Sequence, residues 1–207
     1  MSVNVRKASA SDINLITQAL LKESRDGKSL GLFDLVFKTS NDSDLLEFLT
    51  QLSSSSIKSY CHYSNFFVAM KDNAIIGAIC GYEPRIATHE LFSKSLEEMG
   101  FDESYHERIA AYLLCQGEVD NKTWVLDFIH IDPQYKVIDT MKEVIGKCML
   151  TARLKGYRKV QTLIEIGSVE NEMIFKKLGF TLVEERRSDY YREQFGRAGI
   201  MRLQLEL

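Results

Sequence analysis

Two ionisable side chains stand inside an otherwise apolar strand pattern, WVLDFIHI at residues 124–131. Burial among such neighbours would raise the pKa of Asp127 toward the range in which a carboxylate works as a general base. His130 has an unperturbed pKa of about 6.5, and strand alternation places it on the face opposite Asp127. Glu83, beside Pro84 at the end of another strand pattern, is a third candidate. Each of them also fits a structural role as a hydrogen-bonded strand residue.

The cysteines and histidines do not follow a metal-binding pattern. The four cysteines lie far apart and no two have the C-x-x-C spacing of a zinc ribbon or a redox site; they are Cys61, Cys80, Cys115 and Cys148. Cys61 has His62 beside it, but two ligands do not complete a tetrahedral site. We therefore expect reduced thiols and no bound metal ion.

A basic and aromatic segment near the C-terminal end could contact a nucleic acid or an acidic ligand. Its members are Arg186, Arg187, Tyr190, Tyr191, Arg192 and Arg197. A short charge cluster of this kind also fits a solvated loop between the last two strands, which is the interpretation we favour.

The composition describes an ordinary globular protein. Of 207 residues, 45% are hydrophobic, and 26 basic residues against 29 acidic ones leave a formal net charge of −3. This balance gives no general attraction to nucleic acid. No apolar run is long enough to span a bilayer, and the N-terminal residues have no apolar core typical of a signal peptide. We expect a cytoplasmic protein without membrane or nucleic-acid partners.

Hydrophobic periodicity defines the elements that must position these side chains. The first half predicts a strand at 3–8, helices ending near Gly27 and near residues 53–56, and a hairpin of FFVAM with AIIGAICGY across residues 71–73. Residues 84–117 predict two helices separated at Gly100. The second half predicts a strand at 124–131, a helix over about 134–155, a strand at 160–166, a short helix closed by Gly179, and two final strands. Strand and helix alternate there as in an α/β protein with a mixed sheet.

Three segments in this order resemble the Gcn5-related N-acetyltransferases (GNAT family). They are IHIDPQYK at 129–136, the long helix ending at Gly156, and ENEMIFKKLGF at 170–180. The element order also agrees, so the resemblance covers nearly the whole chain as one domain, with 84–117 as a helical insertion between the third and fourth strands. It implies a mixed, mostly antiparallel sheet with flanking helices and a parallel pair of central strands that splay near 129–131.

The resemblance implies acetyl-coenzyme A as co-substrate, with strand backbone holding its pantetheine and a helix N-terminus near its phosphates. The cofactor-binding residues it implies are Ile129, His130, Ile131, Lys136, Val137, Ile138, Asp139, Thr140, Met141, Ser168 and Phe175. The helix could equally begin at Asp132 and Pro133 with no phosphate beside it, because this pair is a good helix start.

The sequence departs from the family pattern at the phosphate loop, at Phe175 and at Ser168. The phosphate loop (Gln/Arg)-x-x-Gly-x-(Gly/Ala) has Lys136, Asp139 and Met141 at its defined positions. An inward Asp139 about 5 Å from a phosphate would cost ~3 kcal/mol at an effective dielectric constant of ~20. Phe175 stands where many members carry a tyrosine that protonates the leaving thiolate, and Ser168 stands where an asparagine is frequent. Both also fit structural roles, as a core residue and a helix cap.

The sequence thus predicts an N-acetyltransferase in which an amine attacks acetyl-coenzyme A directly, with Asp127 or His130 as general base. The acceptor would be a small-molecule or peptide amine. The departures at the phosphate loop and at Phe175 keep a second hypothesis open, a non-catalytic protein of the same fold that binds a ligand or a protein partner. A structural dimer module is a third, and a homodimer is compatible with all three.

Overall fold

A seven-stranded sheet organises residues 3–207, which the computed structural model describes. Its strands are β1 (Val3–Lys7), β2 (Phe66–Lys71), β3 (Ala74–Tyr82), β4 (Trp124–Ile131), β5 (Lys159–Glu165), β6 (Thr181–Arg187) and β7 (Gly199–Glu206). They lie in the order β1-β2-β3-β4-β5-β7-β6. Within this range every neighbouring pair is antiparallel except β4 and β5, which are parallel. The predicted α/β fold class with one parallel central pair is confirmed.

Helices cover both faces of the sheet. They are α1 (Ile13–Arg25), α2 (Leu32–Phe37), α3 (Asp42–Ser54), α4 (His89–Glu98), α5 (Tyr105–Arg108), α6 (Ala110–Gln116), α7 (Ile138–Leu154), α8 (Val169–Lys177) and α9 (Asp189–Phe195). Local sequence explains several boundaries. Asn41 accepts hydrogen bonds from the first backbone N–H groups of α3, and Gly179 takes the positive φ of 92° that follows α8.

Two apolar cores lie on opposite faces of the sheet. Helices α1 to α4 bury their apolar residues against one face, where Cys80 and Val125 point. Helices α7 and α8 cover the other face, where Ile79 and Leu126 point. The single apolar stripe of α7, with Met141, Ile145 and Cys148, is buried as predicted.

Strands β4 and β5 separate after a short parallel ladder. Their pairing runs from Trp124 opposite Val160 to Leu126 opposite Thr162 and ends there. The β5-facing backbone of residues 127–131 therefore has no strand partner, and the predicted splay is confirmed. A ligand that enters this gap can reach unpaired backbone N–H and C=O groups.

A β-bulge interrupts β4 at the same place. Asp127 pairs with Cys80 and His130 pairs with Ala78, so two residues of β4 stand opposite the single residue Ile79. Phe128 has a positive φ of 41°, which is strained for a bulky side chain. The extra residue reverses the alternation of side chains along the rest of the strand.

Some predicted elements differ from the structure. Two short helices, α2 and α9, form where the sequence analysis placed loops, and residues 84–117 contain the three helices α4, α5 and α6 rather than two. The long helix starts at Ile138 and not near residue 134, because Asp132 and Pro133 begin a separate 3-10 turn over Pro133–Tyr135. None of the helices in the described range is long and apolar enough to cross a membrane.

Candidate functional site

A cleft of about 930 Å³, including its open mouth, passes through the gap between β4 and β5. Met141, Asn171 and Phe175 line it from the face covered by α7 and α8. Residues of α1, α6 and α9 line it from the opposite face, including Glu23 and Tyr112. The cleft thus connects the two sides of the sheet at the point where strand pairing stops.

Asp127 lies deep in the cleft, on the same side as α1. Its Oδ1 accepts a hydrogen bond of 2.8 Å from the backbone N–H of Phe128, within the bulge. Burial raises the pKa of this carboxyl to about 7, against the lowering effect of that hydrogen bond, and the nearby charge of Glu23 adds to the rise. A carboxylate with a pKa near 7 can both accept and release a proton at neutral pH.

The bulge overturns the expectation that His130 faces away from Asp127. His130 pairs with Ala78 and Asp127 with Cys80, and both partners point into the core below α1. His130 Nδ1 lies 2.9 Å from Glu23 Oε1 of α1. The two predicted base candidates therefore share one face, with Glu23 beside both.

Two tyrosines complete this side of the cleft. Tyr112 of α6 lines it, and its hydroxyl makes no hydrogen bond within residues 3–207. Burial raises the pKa of Tyr112, and the charges of Asp127 and Glu165 raise it further. Tyr191 of α9 donates a hydrogen bond of 2.6 Å to Glu165 Oε1, and Lys28 pairs with the same carboxylate.

The N-terminus of α7 lies beside the other end of the cleft. Val137 occupies the N-cap position without a side-chain cap, so the first N–H groups of the helix, at Ile138, Asp139 and Thr140, have no partner within α7. Thr140 is buried, whereas Asp139 is exposed and does not line the cleft. Of the predicted phosphate-loop residues, Lys136 and Met141 line the cleft.

Lys136 also connects this helix start to α8. Its Nζ donates to Asn171 Oδ1 at 3.1 Å and lies 3.5 Å from Glu170 Oε2. Asn171 Nδ2 donates in turn to Ser168 Oγ at 3.0 Å. Ser168 is buried before α8 and borders a second, open cleft that adjoins the first.

Of the remaining predicted cofactor residues, Ile129 and Phe175 line the cleft, whereas His130 and Ile131 do not. Ile129 lines the cleft next to the unpaired backbone of β4, and Ile131 is buried in the core below α7. Phe175 lines the cleft. Its ring packs edge-on against that of Phe180, with 5.1 Å between the ring centroids. It has no proton to donate.

Two sequence-based expectations about ionisable residues are wrong. Glu83 does not line the cleft; it lies at the end of β3 where Tyr157 Oη donates to it at 3.1 Å and Lys155 pairs with it. Burial raises the pKa of Glu83, but the hydrogen bonds from Lys155 and Tyr157 lower it by more. Glu83 is therefore an ionised residue with a structural role. The basic segment is not a solvated loop, because it contains α9, whose Tyr191 is 1% exposed.

Sequence reasoning missed Glu23, Asp26 and Tyr112 as cleft residues. Glu23 lies in α1 and Asp26 directly after it, far along the chain from β4, whereas Tyr112 lies in α6, shortly before β4. No motif in the sequence marks any of them. All four cysteines are buried and unpaired. Across residues 3–207, no cluster of three or more His, Cys, Asp or Glu side chains could hold a metal ion.

Solved structures with the same architecture are acetyltransferases. One described as an acetyltransferase has a TM-score of 0.68 and 15% identity, over 98% of each chain. An N-acetyltransferase from Staphylococcus aureus Mu50 has a TM-score of 0.65 and 14% identity, over 98% of this chain and 100% of that one. PaiA N-acetyltransferase from Thermoplasma acidophilum, solved with coenzyme A, has a TM-score of 0.53 and 13% identity over the full length of both chains.

These similarities show that the chain has the GNAT fold, as its sequence predicted. No known family profile and no curated protein matches the sequence itself.

Proposed function

We propose that this chain, which has the GNAT fold, is an N-acetyltransferase that transfers an acetyl group from acetyl-coenzyme A to an amine. The observation that carries the proposal is the cleft that passes through the sheet where β4 and β5 separate. One end of it meets the uncapped start of α7, and the other holds ionisable side chains suited to proton transfer. A long thioester and an amine can therefore meet from opposite sides of the sheet.

The residues at the α7 end fit acetyl-coenzyme A. Three free N–H groups and the positive end of a 17-residue helix favour an anion there. Lys136 adds a positive charge on the cleft wall. Asp139 replaces a glycine of the family pattern and would repel a phosphate. Because Asp139 is exposed, solvent weakens this repulsion. The unpaired backbone of residues 127–131 offers amide partners to the pantetheine.

Asp127 is the general base in this proposal. Acetyl-coenzyme A supplies an activated acyl group with a thiolate leaving group. Asp127 takes the proton that the acceptor ammonium must lose before its nitrogen attacks. The new C–N bond forms as the C–S bond breaks, and the acylated nitrogen gives up its second proton. Coenzyme A leaves as a thiolate that takes up one proton, so the reaction releases one proton overall, through Asp127. His130 and Glu23 lie on the same face, and the charge of Glu23 raises the pKa of Asp127, which makes Asp127 a stronger base.

The proton donor to the thiolate differs from the tyrosine of many family members, because Phe175 stands at that place. The hydroxyl of Tyr191 already donates a hydrogen bond to Glu165. Tyr112 lines the cleft near Asp127 and its hydroxyl makes no hydrogen bond within residues 3–207, so we assign the donor role to Tyr112. Its raised pKa makes it a weak acid. A thiolate with a pKa of about 8.5 is a good leaving group, so this assistance is a modest part of catalysis.

The competing hypothesis is a non-catalytic protein of this fold that binds a ligand or a protein partner. Met141 in place of the small residue of the phosphate loop, together with Phe175, favours it. Both side chains line the cleft and narrow the space for a cofactor.

Calorimetric titration with acetyl-coenzyme A tests the proposal, together with thiol release in the presence of a panel of amines. We expect saturable binding and amine-dependent thiol release. Lys136→Ala should weaken binding about threefold at low salt and less at high salt, whereas Lys177→Ala, at the far end of α8, should change nothing. Absence of acetyl-coenzyme A binding to the wild-type protein would rule the proposal out in favour of the non-catalytic hypothesis.

A further inference from the structure

The side of the cleft that faces α1 is rich in carboxylates. Asp127, Glu23 and Asp26 line it together, and Glu165 lies at its wall. On the whole wall of the cleft the only ammonium among the residues described is that of Lys136, at the end near α7. A carboxylate that already pairs with a cation of the protein attracts a cationic ligand less strongly, so the ion pairs of these four carboxylates decide how much negative charge the cleft carries.

Three cations near this wall are already paired with anions, whereas Lys22 lines the adjoining cleft with Asp26 and forms no ion pair within residues 3–207. Arg25 donates to Asp34 and Asp42, both at 2.8 Å. Lys28 pairs with Glu165. Lys136 lies between Asn171 and Glu170.

Two of the carboxylates, by contrast, have no cationic partner within residues 3–207. Asp127 accepts a hydrogen bond from its neighbour's backbone, and Asp26 accepts a long one of 3.5 Å from Asn171 Nδ2. Glu23 has only His130, which compensates its charge when protonated. The cleft therefore carries uncompensated negative charge at two separate places, one deep and one nearer its opening into the adjoining cleft.

The end of α1 adds to this potential. The helix runs for 13 residues and ends at Arg25, so the negative end of its dipole lies beside Ser24 and Asp26 at the cleft. Asp26 itself follows the helix with a positive φ of 45°. Apolar and aromatic side chains, including Leu32 and Phe128, line the same cleft.

We propose that the acceptor is an amine with a second cationic group, a diamine or polyamine, held with one nitrogen beside Asp127 and the other beside Asp26 and Glu23. This inference rests on the proposed N-acetyltransferase function. The apolar walls suit the methylene spacer of such a molecule, and two ammonium groups neutralise the two uncompensated positions. A monoamine of equal length would leave one carboxylate unpaired.

The test compares 1,4-diaminobutane with butylamine as acceptors, measured by thiol release with acetyl-coenzyme A at fixed pH. We expect kcat/KM at least tenfold higher for the diamine. Asp26→Asn should raise KM for the diamine about tenfold, with kcat and the butylamine values nearly unchanged. Glu23→Gln should also raise KM for the diamine, and it should lower kcat for both amines because Glu23 raises the pKa of Asp127.

Asp72→Asn is the matched control, because Asp72 is exposed in the β2–β3 turn and has a similar positive φ of 50°. Asparagine tolerates this conformation, so neither Asp→Asn variant should disturb folding. A second readout is the shift in melting temperature that each amine produces when coenzyme A is present, which does not depend on turnover.

Equal use of the two amines, or a diamine preference that survives both Asp26→Asn and Glu23→Gln, would overturn this inference and leave the proposed acetyltransferase function intact. Failure to bind acetyl-coenzyme A would overturn both. Binding of acetyl-coenzyme A with turnover of butylamine alone would overturn the inference only.

Discussion

Asp127 combines a buried carboxyl with a position in the cleft where β4 and β5 separate. Its environment includes Glu23, Tyr82 and Tyr112 together with the thiols of Cys61 and Cys80, and no cation in the described chain pairs with it. Such an environment disfavours the charged form, which costs stability and gives a base of suitable strength.

We predict that Asp127→Asn lowers kcat about 100-fold, because an asparagine cannot take the proton from the substrate amine. In the wild type, kcat/KM should rise with pH and level off above about 7, the pKa of Asp127. The pH–rate profile of the variant should lack this step. An unchanged profile in the variant would assign the step to another group.

The same substitution should affect stability in a pH-dependent way. The folded pKa of Asp127 lies above the unfolded value of 3.8, so the stability it contributes is present at low pH and is lost as the pH rises through about 7. Asp127→Asn should therefore melt above the wild type at pH 8, and the difference should shrink toward pH 4. Melting curves at several pH values, measured without ligands, provide the check.

Tyr112→Phe should lower kcat about tenfold and leave binding of acetyl-coenzyme A unchanged, because only the proton donor is removed. Tyr60→Phe is the control, since Tyr60 is enclosed in the same core and does not line the cleft. Steady-state kinetics with saturating acetyl-coenzyme A separates the two effects. Equal losses in both variants would mean that Tyr112 acts only through packing.

At the scale of elements, the close approach of β3 to β4 supports the bulge. Gly77 stands opposite Ile131, and a Cβ added at this glycine would lie 2.1 Å from the carbonyl oxygen of His130. Only a residue without a side chain fits there. The strand that carries Asp127 and His130 is thereby held in position against β3.

Gly77→Ala should destabilise the protein by about 2 kcal/mol and weaken acetyl-coenzyme A binding, because β3 and β4 must move apart. Gly146→Ala, inside α7 with open space around its Cβ, should instead stabilise by about 0.5–1 kcal/mol. Urea unfolding of both variants measures this contrast. Similar behaviour of the two alanines would contradict the role of Gly77.

At the scale of the whole molecule, the segment between β3 and β4 joins the core below α1. Phe92 of α4 is fully buried there, stacks on Tyr60 at 5.0 Å and meets Tyr105 of α5 edge-on. Through α6 the segment also brings Tyr112 to the cleft. Its packing therefore couples stability to the shape of the site.

Phe92→Ala should destabilise the protein by about 3–4 kcal/mol, since it leaves a cavity in a close-packed core. Leu114→Ala in the same segment should change stability by less than about 0.5 kcal/mol, because Leu114 is 65% exposed. Thermal and chemical unfolding provide the comparison. A small effect of Phe92→Ala would mean that the segment folds apart from the core.

The sequence by itself determined the strands, the long helix and the fold class, because hydrophobic periodicity and turn residues are local signals. It also predicted the burial of Asp127, whose neighbours in the strand are apolar. The sequence did not predict the short helices α2 and α9, because such short helices are stabilised mainly by packing against distant elements.

Only the tertiary structure decided which side chains meet. The bulge at Phe128 depends on pairing between β3 and β4, and it turned His130 to the side of Asp127, against the alternation that the sequence predicted. Residues of α1, α6 and α9 meet β4 around the cleft. Glu23 of α1 and His130 of β4 are more than a hundred residues apart in the chain. Periodicity reports the direction of a side chain relative to its own element, whereas a site depends on how several elements pack together.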